Sequence, residues 1–208
     1  AMLQAKGQRG CSFHFYDERI NLQAHSLIEF ESSLRQALRR NEFELHYQPR
    51  VDLGTGRIVG LEGLIRWRHP ERGLLGPGEF IPLAEETGLI VPMGYWVIAR
   101  ACHDLARMQK RGMPPVHVAV NMSFRQFQDS RLLSTVRRLL ERTGIDPRWL
   151  EFELTETAVM QQPEQVLMTM DGMTGLGLRF SLDDFGTGFS SFVHLHSLPI
   201  NLLKIDRS

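Results

Sequence analysis

Six segments of this chain alternate with the two-residue period of a β-strand, and each keeps a polar side. Residues i and i+2 of a strand share a face. Over Phe43–Arg50, Glu44, His46, Gln48 and Arg50 lie opposite Leu45 and Tyr47. Over Ile58–Arg68, Glu62, Leu64, Arg66 and Arg68 oppose Leu61, Ile65 and Trp67. His117, Asn121 and Ser123 oppose Val118, Val120 and Met122 in Val116–Ser123. Glu151, Glu153 and Thr155 oppose Phe152 and Leu154 in Leu150–Thr155. Ser181 and Asp183 oppose Phe180 and Leu182 in Leu178–Asp183, and Lys204 and Asp206 oppose Leu203 and Ile205 in Leu202–Asp206. Parallel strands are usually buried on both faces and read as continuous apolar runs. A barrel reconciles the conflict: apolar sides pack under helices, and polar sides converge at the C-terminal mouth, where barrel active sites are built.

Helical stretches separate the later strands, so the fold class expected is α/β, a (β/α)8 TIM-like barrel. Leu53-Gly54-Thr55-Gly56 reads as a hairpin turn, which makes the first two strands antiparallel. Ser26 reads as the N-cap of a helix over Ser26–Arg40, with Leu27, Phe30, Leu34 and Leu38 on one stripe and Asn41 as its stop. Pro92 fits the first position of a helix running to Lys110, closed by Gly112. Further helices are expected over Asp129–Arg142 and from Pro163 to Gly175–Gly177, and a fourth after Gly186-Thr187-Gly188.

Composition narrows the class. The 208 residues carry 24 Lys+Arg against 24 Asp+Glu, and 42% are hydrophobic. A balanced, ordinary composition excludes intrinsic disorder and a global basic field for DNA or RNA. No apolar run approaches the ~20 residues of a membrane helix, so no membrane contact is expected in this segment. Two cysteines, Cys11 and Cys102, favour a reducing, cytoplasmic setting.

Glu62, Asn121, Glu153, Asp183 and Asp184 are all oxygen ligands at the expected mouth. Several carboxylates in one place raise each other's pKa unless a cation neutralises them. Hard divalent ions, Mg²⁺ or Mn²⁺, suit such a set, and the scarcity of convergent histidines disfavours zinc. Several neighbours carry plainer alternatives. Arg66 and Arg68 could pair with Glu62 or Glu151. His46 and His117 read as satisfied core histidines, Phe80, Trp96 and Phe127 as core, and Arg137–Arg142 as a solvated helix face.

The same residues resemble the EAL domain family, the cyclic di-GMP phosphodiesterases. Tyr47-Gln48-Pro49 is similar to the family's YQP strand. Glu62-Gly63-Leu64 stands where the family has Glu-Ala-Leu, with Gly63 on the face away from the site. The segments Pro77–Glu85, Asn121–Phe127, Glu153–Glu156, Asp183–Gly188 and Leu203–Ser208 match in order. Near the start, Ala5-Lys6-Gly7-Gln8 and Phe15-Tyr16-Asp17 resemble the end of a GGDEF (diguanylate cyclase) domain. That division makes 1–25 the tail of a preceding domain with its linker and 26–208 an EAL domain.

By that resemblance the fold is a barrel of the EAL type, and the activity is metal-dependent hydrolysis of cyclic di-GMP to linear pGpG. Glu62, Asn121, Glu153 and Asp183 would hold one ion. Asp183 would be shared with a second ion that Asp184 helps to hold. Glu156 would support the shell, Lys204 would contact the water nucleophile with Asp206 beside it, and Gln48, Leu64 and Arg66 would contact the dinucleotide. The family pattern continues past Lys204–Ser208 with two further βα units that carry another Glu and a Gln. The expectation is therefore a C-terminally truncated domain, about six of eight strands, with impaired activity of its own. Its open edges invite strand pairing or a homodimer. Other readings of the site are a cyclic di-GMP receptor without turnover and a different Mg²⁺-dependent barrel enzyme.

Overall fold

A computed structural model describes residues 18–186 and 198–206. Helix α1 (Glu18–Arg40) leads into the antiparallel hairpin β1 (Phe43–Val51) and β2 (Ile58–His69), and β3 (Gly73–Leu75) returns along β2. Then follow α2 (Pro77–Thr87), α3 (Ile90–Lys110), β4 (His117–Asn121), α4 (Phe124–Phe127) and α5 (Leu132–Thr143). A short 3-10 turn at Pro147–Trp149 precedes β5 (Leu150–Thr155), α6 (Glu156–Gln161), α7 (Pro163–Thr174), β6 (Arg179–Phe185) and β7 (Leu202–Ile205). The strands form one seven-stranded sheet in the order β1-β2-β4-β5-β6-β7, with β3 beside β2. From β2 onward the path is parallel. Among the described residues no ladder joins β7 to β1, so the expected α/β architecture is present as an open barrel wall.

The hairpin turn forms as its glycines imply. Gly56 takes φ 67°, Asp52 and Arg57 close the loop by a 2.9 Å backbone bond, and Asp52 Oδ1 accepts from both Thr55 N and Thr55 Oγ1. Asn41, at φ 55°, ends α1 in the left-handed conformation that asparagine tolerates. Two helix starts differ from expectation. Ser26 lies inside α1 rather than at its start, and 18–25 hold no Gly or Pro to break the helix earlier. Pro92 is the third residue of α3, where its missing N–H still falls among the unbonded donors of a first turn. The reading of Ser12–Tyr16 as strand-like, the helix placed after Gly188 and the match at Thr187-Gly188 and Arg207-Ser208 lie outside the described residues.

The outward faces of the strands build the core. Trp67, Phe80, Phe152 and Phe180 are fully buried, and rings meet at 5.8 Å for Trp67–Phe80 and 5.9 Å for Phe152–Phe180. Phe127 is buried and Trp96 packs against the core, as expected of both. On α1, Leu34 is buried and Phe30 and Leu38 pack against the core, whereas Leu27 is exposed. His46 and His117 are not core residues. His46 is an exposed partner of Glu44, and His117 bonds the Arg148 carbonyl.

Candidate metal centre

The parallel register brings the polar faces together. Asn121 pairs with Glu153 across β4 and β5, and Thr155 with Asp183 across β5 and β6. In the antiparallel hairpin Gln48 stands directly opposite Glu62. Carboxylate oxygens of Glu62, Glu153 and Asp183 all lie within 4.8 Å of one another. The Lys204 ammonium reaches into this group, donating to Asp183 Oδ2 at 2.8 Å, Glu153 Oε2 at 2.9 Å and Glu62 Oε2 at 3.2 Å. Asn121 Nδ2 donates to Glu62 Oε1 at 3.2 Å.

The electrostatics follow from burial. Glu153 is 1% exposed. Burial, with the nearby Glu62 and Asp183 charges, pushes its carboxyl up to about 7 against the opposing pull of Lys204. Burial works against the Lys204 charge too, but its bonds to Asp183 and Glu153 outweigh that and hold its pKa above the ordinary lysine value. With all three carboxylates ionised, one ammonium leaves two negative charges among these four side chains. Hard oxygen donors at this spacing, with that residual charge, fit a divalent cation.

A bulge sets the neighbouring carboxylates. The β6–β7 register shifts between Leu182 and Phe185, and Asp184 within it takes φ 54°. A left-handed non-glycine residue costs roughly 1 kcal/mol, and Asp184 N recovers a bond to Asp183 Oδ1 at 2.9 Å. Burial and the charges of Asp183 and Asp206 raise the Asp184 pKa, and Lys204 lowers it, which puts Asp184 and Asp206 within electrostatic reach of the centre. Glu156 is buried at the start of α6, capped by Thr155, and accepts a 3.2 Å bond from Gly186 N. That bond ties the end of β5 to the turn after β6.

Leu64 lines a cavity of about 610 Å³ together with Ile81, Met93, Asn121 and Phe124. Tyr47, on the outer side of β1, donates to the buried Asp104 at 2.9 Å and so fixes the strand that presents Gln48. Arg66 does not join the carboxylates; its Nη1 donates to the Ile65 carbonyl at 2.9 Å. Arg68 pairs with Glu44, so neither arginine bonds Glu62 or Glu151. The cation that does bond Glu151 is Arg50, at 2.8 Å, with Glu153 at 3.4 Å. Both Arg50 and Glu151 stand on the polar faces legible in the sequence, and their opposite charges on one inner surface were the available signal.

A profile of the EAL domain matches residues 31–208. The chain belongs to the EAL domain family. Over 207 residues this EAL domain is 41% identical to the bifunctional diguanylate cyclase/cyclic di-GMP phosphodiesterase MucR of Pseudomonas aeruginosa. The alignment takes in 100% of the chain and 30% of that protein. It is also 41% identical over 208 residues to the cyclic di-GMP phosphodiesterase NbdA of the same species, spanning 100% of the chain and 27% of NbdA. Among solved structures, the PaMucR phosphodiesterase in complex with c-di-GMP superposes with TM-score 0.82 at 42% identity, over 88% of this chain and 72% of that one. The Xanthomonas citri FimX EAL domain in complex with c-diGMP gives TM-score 0.81 at 26% identity, over 90% and 72%. The chain thus spans about a third or less of the two full-length relatives named.

Proposed function

We propose that this EAL domain, within its complete protein, hydrolyses cyclic di-GMP to linear pGpG in the bacterial cytoplasm with Mg²⁺ or Mn²⁺. The observation that carries the reading is the trio Glu62, Glu153 and Asp183 gathered around Lys204. Relatives named cyclic di-GMP phosphodiesterases support the substrate. The free, buried Cys102 favours a reducing compartment. The exposed Leu203 and Ile205 of β7 favour an edge covered by further chain or by a second copy. We propose that 1–25 are the tail of a preceding GGDEF-like domain together with its linker, in keeping with the bifunctional relative.

Glu62, Asn121, Glu153 and Asp183 would hold one ion, and Asp183 with Asp184 would take part in holding a second. Such an ion, when bound, supplies Lewis acidity and a nucleophile at neutral pH. Lys204 places a fixed positive charge where an anionic phosphodiester gains charge in the transition state, and Asp206 would lie beside it. Gln48 and Leu64 present an amide and an apolar surface to the dinucleotide, and Arg66 offers a fork suited to a phosphate. Glu156 holds the turn at Gly186 in place.

Incubating the complete protein with cyclic di-GMP and Mn²⁺ tests this. Chromatography should show conversion to pGpG, halted by a chelator. Intact cyclic di-GMP after prolonged incubation with metal-loaded protein would overturn it.

A further inference from the structure

Below the carboxylate trio the interior of the sheet holds a second charged layer. Arg50 and Gly60 are register partners across the β1–β2 hairpin. The Arg50 guanidinium lies over Gly60 so closely that a Cβ there would sit 2.9 Å from both Nε and Nη2. A glycine at this position therefore leaves the space an arginine head occupies. From that cradle Arg50 Nη1 donates to Glu151 Oε1 at 2.8 Å and makes a longer contact to Glu153 Oε1 at 3.4 Å. Glu151 and Glu153 stand two residues apart on β5, both on its inner face, and their side chains are 4% and 0% exposed.

We propose that Arg50 is a positioning residue for the metal centre, resting on the reading of Glu153 as a ligand. Two buried carboxylates stacked on one strand repel each other, and the lower one would drive the upper from its place. Arg50 neutralises Glu151 and engages Oε1 of Glu153 from below. Oε2 of Glu153 is then left on the side of Lys204, Glu62 and Asp183. Counting both layers with every carboxylate ionised, Glu62, Glu151, Glu153 and Asp183 against Arg50 and Lys204 leave two negative charges, the complement of one divalent ion. Partners that orient a ligand in this way typically change metal affinity 10–100-fold when removed.

The test is Mn²⁺ binding to the complete protein, read by electron paramagnetic resonance of free Mn²⁺ with no substrate present. Arg50→Met should weaken Mn²⁺ binding about tenfold or more, and Arg50→Lys should recover part of the loss. Gly60→Ala, which displaces the guanidinium but keeps its charge, should weaken binding by a smaller factor and covers the case in which Arg50→Met fails to fold. Wild-type affinity in folded Arg50→Met, or in Gly60→Ala where Arg50→Met does not fold, overturns the inference while the metal centre stands. Absence of Mn²⁺ binding by the unsubstituted protein overturns the metal centre and the inference with it.

Discussion

On the outer face of β2, β5 and β6, Trp67, Phe152 and Phe180 are fully buried among other rings. A few residues along the same strands, on the inner face, Glu62, Glu153 and Asp183 crowd one ammonium. The backbone is shared, yet the two faces do opposite things to stability. Ring burial is favourable in proportion to area and needs no special geometry. Gathering carboxylates in a low-dielectric interior is unfavourable unless cations and hydrogen bonds match them. The outer face therefore holds the fold, and the inner face gathers more negative charge than Lys204 alone offsets.

Substitutions on the two faces should separate these roles. The largest effect is expected for Glu153→Ala. Loss of a ligand worth several kcal/mol of transition-state stabilisation lowers metal-dependent turnover on the order of a thousandfold. The melting temperature of the metal-free protein should hold or rise, because a buried carboxylate is gone. A large fall in melting temperature would break the division between faces. Phe152→Ala should do the reverse, costing about 3–5 kcal/mol in denaturant unfolding while the folded fraction binds Mn²⁺ as before.

Metal itself should stabilise through the inner face alone. At a hundredfold excess over its Kd, Mn²⁺ should add about 2.7 kcal/mol, reversed by a chelator and lacking in Glu153→Ala. The smallest effect belongs to Gly63→Ala, which restores the family's Glu-Ala-Leu. The new Cβ would lie 3.4 Å from the Ala119 carbonyl and from Val120 Cγ1, on the outward side. Turnover should stay within about twofold and stability within about 1 kcal/mol. A loss of activity comparable to Glu153→Ala would show that this face is not separate from the site.

Much of this was legible in the sequence because alternation is a local signal. It located β1, β2, β4, β5, β6 and β7 to within a few residues and put Glu62, Asn121, Glu153, Asp183 and Lys204 on one surface. What it missed has physical causes. β3, α4 and α6 span three, four and six residues, too few for a period to show. The helix α2 opens on Pro77-Gly78, a pair that reads as a turn. Strict alternation sends Asp184 outward, and the bulge with its left-handed residue leaves it within electrostatic reach of Asp183 and Lys204. Alternation put Arg50 on the inner face of β1 but could not pair it with Glu151, which lies 101 residues away, a distance that only the folded sheet closes.

The central claim is that Glu62, Glu153 and Asp183 share one divalent cation. An anomalous difference map from crystals of the complete protein soaked in Mn²⁺ tests it most directly. The account predicts a peak bounded by oxygens of those three side chains and of Asn121. A map with no peak among them, at a Mn²⁺ concentration that supports turnover, would contradict it.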